Sequence, residues 1–221
     1  MKGLLIKDFK ILMNQKRFML MFIFVAIILS FSMDTSFMVS YISMIGTILT
    51  LSTISFDYQD EGYSFLMTLP IKRGDYAVGK YVFTVLGLVS FWAISMVLQF
   101  ASFFIRRVEF DLTETLAADI CLLPLFIFVA AVLIPIEIKF SPEKVRVVMF
   151  LFFGIVLVVA MGGKALLGRL EDTTGSDILS KLDALNAVNP VMLILGVLAI
   201  SVIMLSISMI ISVRIMEKRE F

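Results

Sequence analysis

The stretch of sequence that decides the fold is residues 56–81, which read FDYQDEGYSFLMTLPIKRGDYAVGKY. It lies between two long apolar runs and holds seven charged residues and four of the chain's five tyrosines. Apolar runs of roughly 20 residues are long enough to cross a bilayer, so a charged segment between two of them is a loop in water. We therefore predict a cytoplasmic segment at 56–81, and we expect any soluble partner of this chain to bind there.

The composition is that of a membrane protein. Of the 221 residues, 60% are hydrophobic and only 17% are charged, whereas soluble domains are about half apolar and about a quarter charged. The net charge of +1 gives no general attraction to nucleic acid, so no nucleic-acid partner is expected. There is no histidine, which is the commonest general base and metal ligand, so we expect neither a catalytic residue nor a metal site.

The apolar runs predict an all-α polytopic membrane protein with a single domain, 1–221. Six transmembrane helices are expected, at 18–33, 37–55, 82–105, 116–136, 147–161 and 190–213. The segment 56–81 joins the second span to the third. An external segment, 162–189, joins the fifth span to the sixth, and its leucines among charges predict short amphipathic helices on the membrane face.

A short amphipathic helix is predicted ahead of the first span, at 1–17. Its apolar side chains share one arc at helical spacing, and its polar side chains share the opposite arc. The apolar arc holds Leu5, Ile6, Phe9, Leu12 and Met13, and the polar arc holds Lys7, Lys10 and Asn14. A basic amphipathic helix of this kind lies flat among lipid headgroups. The open alternative is a solvated lead-in.

The lysine and arginine counts indicate the orientation. With the N-terminus inside, the predicted inner segments hold 14 of these residues and the outer loops hold 5. Positive charge is concentrated in cytoplasmic loops, so we expect both termini in the cytoplasm. Six spans also require both termini on the same side of the membrane.

Ionisable residues are nearly absent from the predicted spans. Asp119 and Glu137 lie near the two ends of the fourth span, and no span has a charge at its centre. An ion-coupled carrier usually keeps such residues facing a cavity, and an intramembrane protease needs paired acid–base groups. The sequence therefore argues against both classes, and replacing Asp119 and Glu137 would test the carrier directly.

One apparent nucleotide-binding motif is incomplete. Residues 74–81 match the spacing G-x-x-x-x-G-K, but Tyr81 stands where a P-loop has the serine or threonine that binds Mg²⁺. No β-strand pattern precedes the motif, because Pro70 and a basic pair come shortly before it. We interpret the segment as the entry to the third span and not as a phosphate-binding loop, so we expect that this chain does not hydrolyse ATP itself.

From Asp60 onward, the charged segment can form a short helix that ends before Pro70. Tyr63, Leu66 and Met67 then share one face of that helix. An apolar helix face in a cytoplasmic loop resembles a ligand that docks into a groove of a partner protein. The alternative is a helix that rests on the lipid surface.

Small polar residues form a stripe along the second span. They step by three, four and three residues and so share one helix face: Ser40, Ser43, Thr47 and Thr50. Such a stripe either packs closely against another helix or lines a polar pathway, and the sequence leaves both interpretations open.

The charged segment also carries a resemblance to a known family. An acidic-aromatic stretch, Phe56–Glu61, is followed by Leu69-Pro70-Ile71 and by a run with basic residues and tyrosines from Lys72 to Tyr81. With the basic lead-in helix and the very short turn after the first span, this pattern resembles the type-2 ABC transporter permeases. Within that family it is similar to the six-span subgroup of Gram-positive bacteria that includes the phenol-soluble modulin exporter.

The resemblance implies a type V exporter-like permease fold in a bacterial cell membrane, with 1–17 as the elbow helix. It implies two permease chains, identical or different, each with a separate cytoplasmic ATPase that binds ATP and Mg²⁺. This chain itself would hold no cofactor. The family's coupling helix would correspond to Phe56–Leu69, and the loop Glu137–Arg146 would make a second, smaller contact. The residues expected to contact the ATPase are Asp57, Asp60, Glu61, Tyr63, Phe65, Leu66, Met67, Leu69 and Glu143.

The resulting prediction is the membrane subunit of an ATP-driven exporter. The resemblance implies that its substrates are amphipathic or antimicrobial peptides or lipophilic compounds. The alternative comes from a different class of protein, a membrane scaffold or immunity protein that transports nothing. Co-purification of an ATPase distinguishes the two.

Overall fold

A computed structural model of the chain describes residues 2–32, 35–58, 72–108, 110–151 and 190–218, and the single positions 66, 68, 154, 155 and 158. Every element assigned in these ranges is helical. The helices are α1 (Lys2–Asn14), α2 (Lys16–Ser32), α3 (Thr35–Asp57), α4 (Arg73–Arg106), α5 (Leu112–Lys139), α6 (142–151) and α7 (Pro190–Glu217). The described part of the chain therefore has the all-α architecture that the sequence predicts.

Four of the described helices are long and apolar enough to cross a membrane. They are Phe37–Asp57, Arg73–Arg106, Leu112–Lys139 and Ile194–Glu217, and they correspond to the predicted second, third, fourth and sixth spans. Helices α1 and α2 pass the same test only as a pair, and the pair bends by 62°. Among the described residues there are thus four candidate spans, or five if the bent pair crosses as one.

Two predicted segments lie partly or wholly outside the described residues. Seven of the fifteen residues of the predicted fifth span, 147–161, and all of the external segment, 162–189, belong to this group. The count of six spans and the assignment of an elbow helix at 1–17 therefore stay predictions.

The helices pack as a bundle around α4, which contacts α1, α3, α5 and α7. The end of α3 and the start of α4 lie at one end of this bundle, which we call the Asp57 end. Leu4 of α1 packs on Gly79 there, and the backbone oxygen of Glu217 accepts a hydrogen bond from Arg73 at 3.4 Å. The first and last described helices of the chain therefore meet at the same end of the bundle.

Helix α4 begins at Arg73, well before the predicted start of the third span at Val82. Asp75 lies in its first turn, where the partial positive charge of a helix N-terminus favours an acidic side chain. Tyr76 and Lys80 are buried against neighbouring helices, which is why this charged stretch is helical and not a loop. The apparent nucleotide-binding motif at 74–81 is thus the packed first turns of α4.

The bundle is apolar on the outside and holds small polar side chains inside. Phe104 and Phe150 are 77% and 81% exposed, as expected for a surface that faces lipid. Inside, the Thr47 hydroxyl donates to the Ser43 carbonyl oxygen, and the Thr50 hydroxyl donates to the Thr47 carbonyl oxygen, both at 2.8 Å. These bonds satisfy the hydroxyls within their own helix, because no water is present in a bilayer core to do so.

Helices α3 and α4 approach each other closely at two glycines. A Cβ atom added at Gly87 would overlap Thr50 Cγ2, and one added at Gly46 would overlap the base of the Phe91 ring. Small residues of this kind allow two helix backbones to come together in a membrane. The spacing of α3 and α4 therefore depends on the absence of a side chain at these positions.

Gly87→Ala is expected to destabilise the protein by about 1–3 kcal/mol, because the new methyl group forces α3 and α4 apart. Thermal unfolding of the purified chain in detergent measures this. Adding Thr50→Ser removes the overlapping methyl group and should restore most of the loss. Gly196→Ala on α7 is the control, since a Cβ there meets open space. A Gly87→Ala variant that melts with the wild type would contradict the close approach of α3 and α4.

Candidate functional site

A buried network of ion pairs joins α1, α3 and α4 at the Asp57 end. Lys80 of α4 stands between two carboxylates, with its Nζ 2.8 Å from Asp8 Oδ1 and 2.8 Å from Asp57 Oδ2. Lys7 of α1 places its Nζ 2.6 Å from Asp57 Oδ1 and 3.4 Å from Asp8 Oδ1. Two cations therefore balance two carboxylates. We call Lys7, Asp8, Asp57 and Lys80 the ion cluster.

Neutral groups complete the hydrogen bonds of the ion cluster. The Tyr76 hydroxyl donates to Asp57 Oδ2 at 2.8 Å, and Lys80 Nζ donates to the Thr53 carbonyl oxygen at 3.2 Å. The three N–H groups of the Lys80 ammonium thus have three acceptors. The Tyr76 ring also lies 5.4 Å from Lys80 Nζ and 5.9 Å from Lys7 Nζ, within the range of a cation–π interaction.

The ion cluster is shielded from solvent except at Lys7. Asp8, Asp57 and Lys80 are 1%, 4% and 1% exposed, and the Lys7 side chain is 28% exposed. Taking an ion out of water costs several kcal/mol, so a buried network adds little net stability even when every charge is paired. Losing one partner, by contrast, leaves an uncompensated charge. We therefore expect the cluster to hold α1, α3 and α4 in one fixed arrangement.

The ion cluster sits where the charged segment begins. Asp57 is the last residue of α3, and the chain continues from there into 59–71, most of which lies outside the described residues. Glu137, near the end of α5, is 3% exposed and close enough to Lys80 to interact with its charge. The lead-in helix α1 is thus connected, through direct ion pairs, to the start of the charged segment.

The structure describes three of the nine residues that we predict to contact an ATPase. Asp57 belongs to the ion cluster. Leu66 is 8% exposed and packs into a core cluster with Leu51 and Ile54 of α3. Glu143 is exposed near the start of α6. The other six lie outside the described residues: Asp60, Glu61, Tyr63, Phe65, Met67 and Leu69. The role of all nine in docking stays a prediction.

The polar stripe predicted on the second span lies inside the bundle. Ser43, Thr47 and Thr50 are at most 1% exposed, and Ser40 is half-buried. Thr50 faces Gly87 of α4 at the close approach described above. The stripe therefore lies where α3 meets a neighbouring helix of the same chain, and a role in a transport pathway stays a prediction.

Three members of the ion cluster are not among the residues that the sequence predicts for a site. Lys80 falls within the apparent nucleotide-binding motif, and Lys7 was assigned to the polar arc of the lead-in helix. The spacing around Asp8 would have allowed its burial to be predicted. Leu4, Asp8 and Leu12 recur every four residues, so they share one helix face, and all three are buried. A lone carboxylate in such a row is stabilised when another helix supplies a buried cation.

A comparison with protein-family models supplies the family. Residues 3–217 match the model described as ABC-2 family transporter protein. The chain belongs to the ABC-2 transporter family. No curated protein and no solved structure matches it. ABC-2 permeases are membrane transport subunits that are not themselves enzymes, and the family works with a partner ATPase subunit.

Membership in the ABC-2 family confirms the coarser part of the resemblance stated above, namely that this is a type-2 ABC permease. The match reaches from α1 to the end of α7. Together with the apolar helices, it establishes a multi-pass membrane protein. The narrower similarity to the subgroup with the phenol-soluble modulin exporter stays a prediction, as does peptide export.

A second buried polar group of the ABC-2 chain lies between α4 and α5, toward the other end of the bundle. Asp119 and Gln99 are both 0% exposed and face each other. The Trp92 indole donates to the Asp119 carbonyl oxygen at 3.1 Å. Within the described ranges, neither carboxylate oxygen of Asp119 and neither amide atom of Gln99 has a hydrogen-bond partner.

Asp119→Asn is expected to leave the melting temperature in detergent unchanged or to raise it. The change removes a carboxylate that is buried beside the neutral Gln99 side chain, with no cation near it in the described part of the chain, and such a charge opposes folding. Glu114→Gln, at an exposed position on the same helix, is the control. A lower melting temperature for Asp119→Asn alone would show that the carboxylate has a favourable partner, as an ion-coupled carrier would require.

Proposed function

We propose that this chain is the membrane-spanning permease subunit of an ATP-driven exporter. The observation that carries the proposal is the family match over residues 3–217. ATP and Mg²⁺ would be bound by a separate cytoplasmic ATPase and not by this chain. One observation supports this. The apparent nucleotide-binding motif in the sequence forms the helical start of α4 and not a phosphate-binding loop, and its Lys80 contacts two carboxylates.

The ATPase is proposed to dock at the Asp57 end of the bundle, on the segment 59–71 and on Glu143. Two observations support this position. The ion cluster fixes Asp57, from which the segment starts, and the exposed Glu143 lies just beyond the end of α5. Arg73 and Lys139 also lie at helix ends here, which agrees with a cytoplasmic location under the positive-inside rule.

The exporter is proposed to work as a pair of permease chains, identical or different. When ATP binding closes the two ATPase subunits, the motion would reach the membrane through 59–71. The ion cluster would pass it to α1, α3 and α4 together, because Asp57 is bonded to both other helices. Movement of α4 would then reach α5 and α7, which pack against it.

The proposed substrates are amphipathic or antimicrobial peptides or lipophilic compounds. Support comes from the resemblance of the charged segment to the six-span exporters, and from the apolar character of the described helix surfaces. A hydrophilic substrate would find few hydrogen-bond partners along these surfaces.

The proposal is tested by recovering the tagged chain from its native membrane in mild detergent and identifying the proteins that come with it. Recovery of a soluble ATPase with Walker motifs supports the exporter. An unrelated ABC permease from the same membrane, recovered with its own ATPase, shows that the detergent preserves such complexes. If that control succeeds and this chain comes without an ATPase, the membrane scaffold or immunity protein becomes the better interpretation.

A further inference from the structure

We propose that a groove between α1 and α4 binds one anionic phospholipid of the surrounding bilayer. The groove has a volume of about 430 Å³. Its walls include Phe9 and Met13 of α1, Met19 of α2, and Leu86 and Ile94 of α4. The proposal does not depend on the exporter function, since it concerns a lipid site on the outer face of α1.

The groove offers a ligand only apolar contacts. Its one hydroxyl group belongs to Ser90, and that group already donates to the Leu86 carbonyl oxygen at 2.7 Å. Ile6, Phe9 and Leu86 are each 57% exposed along the groove, so it opens to the outside of the bundle. A hydrocarbon chain from the membrane therefore matches the chemistry of its walls.

A smaller cavity of about 50 Å³ lies next to the groove, between α2, α3 and α4. The two cavities share Met19, Phe91 and Ile94 as walls, and the inner one reaches Gly46 and Leu49 of α3. The apolar path is therefore elongated, and it runs from α1 at the Asp57 end toward the middle of α3. An extended acyl chain fits such a path better than a compact ligand does.

The exposed charged residues of α1 and α2 are all positive. Among them are Lys10, Lys16 and Arg17. Lys10 lies one helical turn from the groove residues Ile6 and Met13, and Lys16 lies one turn before the groove residue Met19. None of the three cations forms an ion pair with another residue that the structure describes. Their charges are therefore available to an anion at the mouth of the groove.

The only carboxylate in α1 and α2 does not neutralise these cations. Asp8 is 1% exposed and points into the ion cluster, where it pairs with Lys80. The mouth of the groove thus attracts negative charge, while its interior accepts hydrocarbon. An anionic phospholipid has both parts, because its headgroup is attracted to basic side chains and its acyl chains are hydrocarbon. A cationic amphipathic peptide would be repelled at the same place.

A lipid in this position would hold α1 from its outer side. The inner side of α1 is already held by Lys7 and Asp8 in the ion cluster. The angle between α1 and α2, which is bent by 62°, would then depend on the phospholipid composition of the membrane as well as on the protein.

The test uses the full chain reconstituted in bilayers with phosphatidylglycerol or phosphatidylcholine that carries a photoactivatable acyl chain. Mass spectrometry identifies the labelled peptides, and competition with unlabelled lipid gives relative affinities. We expect phosphatidylglycerol to label 5–13 and 83–94 in preference to phosphatidylcholine. Lys10→Gln with Lys16→Gln should reduce this preference by roughly thirtyfold. Lys144→Gln with Arg146→Gln, exposed on α6, removes the same charge elsewhere and should leave it unchanged.

Three outcomes would overturn the proposal. Equal labelling by phosphatidylglycerol and phosphatidylcholine would mean that the groove holds ordinary boundary lipid without preference for an anionic headgroup. Labelling mainly on other helices would place the site elsewhere. A cationic amphipathic peptide that displaces phosphatidylglycerol from the groove would make it a peptide site. If the Lys10→Gln, Lys16→Gln chain fails to fold, the salt dependence of labelling in the wild-type chain tests the proposal instead. The wild-type preference for phosphatidylglycerol must fall as salt is raised, since exposed charges are screened, and a constant preference contradicts the proposal.

Discussion

Replacing Lys80 with methionine is expected to destabilise the folded chain by about 3–5 kcal/mol. Lys80 is 1% exposed and lies between Asp8 and Asp57, so its loss leaves two buried carboxylates with only Lys7 to balance them. Methionine keeps most of the length of the lysine side chain, so the loss of stability measures the removal of the charge and not the creation of a cavity. For a chain of this size the melting temperature in detergent should fall by roughly 10 °C.

Two further variants make this prediction specific. Lys144→Met, at an exposed position on α6, should change the free energy of unfolding by no more than about 0.5 kcal/mol. Adding Asp8→Asn and Asp57→Asn to Lys80→Met removes the unpaired carboxylates and should restore part of the lost stability. If Lys80→Met melts with the wild type, α1, α3 and α4 are not joined by the ion cluster described here.

The sequence predicted those helices whose signal is local. The apolar runs at 37–55 and 116–136 fall within α3 and α5, because a long uncharged run requires no knowledge of the rest of the chain. The start of α4 at Arg73 has no such signal. Its charges have the pattern of a loop, and only partners from α1 and α3 make it favourable to bury them.

The same distinction applies to the candidate site. The resemblance carried by its acidic-aromatic surroundings predicts Asp57 as an ATPase contact, whereas its ion-pair partners, Lys7 and Lys80, come from two other helices and are not predicted at all. The polar stripe was visible because its spacing repeats along one helix face. The contact between this face and α4 could not be predicted, because nothing in the sequence around Gly87 indicates which helix packs against it. Periodicity shows which side chains share a face, but pairing between faces depends on the three-dimensional arrangement.

Met67→Asp is expected to remove the ATPase from the purified permease. Under the proposed function, Met67 belongs to the apolar face that docks into the ATPase. A carboxylate buried there without a partner costs a few kcal/mol, and each 1.4 kcal/mol weakens binding about tenfold. The ATPase recovered with the tagged chain should therefore fall by more than tenfold, as measured by quantitative mass spectrometry of the eluate.

The melting temperature separates docking from folding in this experiment. Leu66 is 8% exposed and belongs to a buried core cluster, so Leu66→Asp should lower both the melting temperature and the ATPase recovery. Met67→Asp should lower only the recovery. Val108→Asp, exposed at the other end of the bundle, introduces the same charge and should change neither quantity. If the Met67→Asp variant and the wild type recover the same amount of ATPase, the ATPase docks on another part of the permease. The exporter function would still be supported, because the family match does not depend on this segment alone.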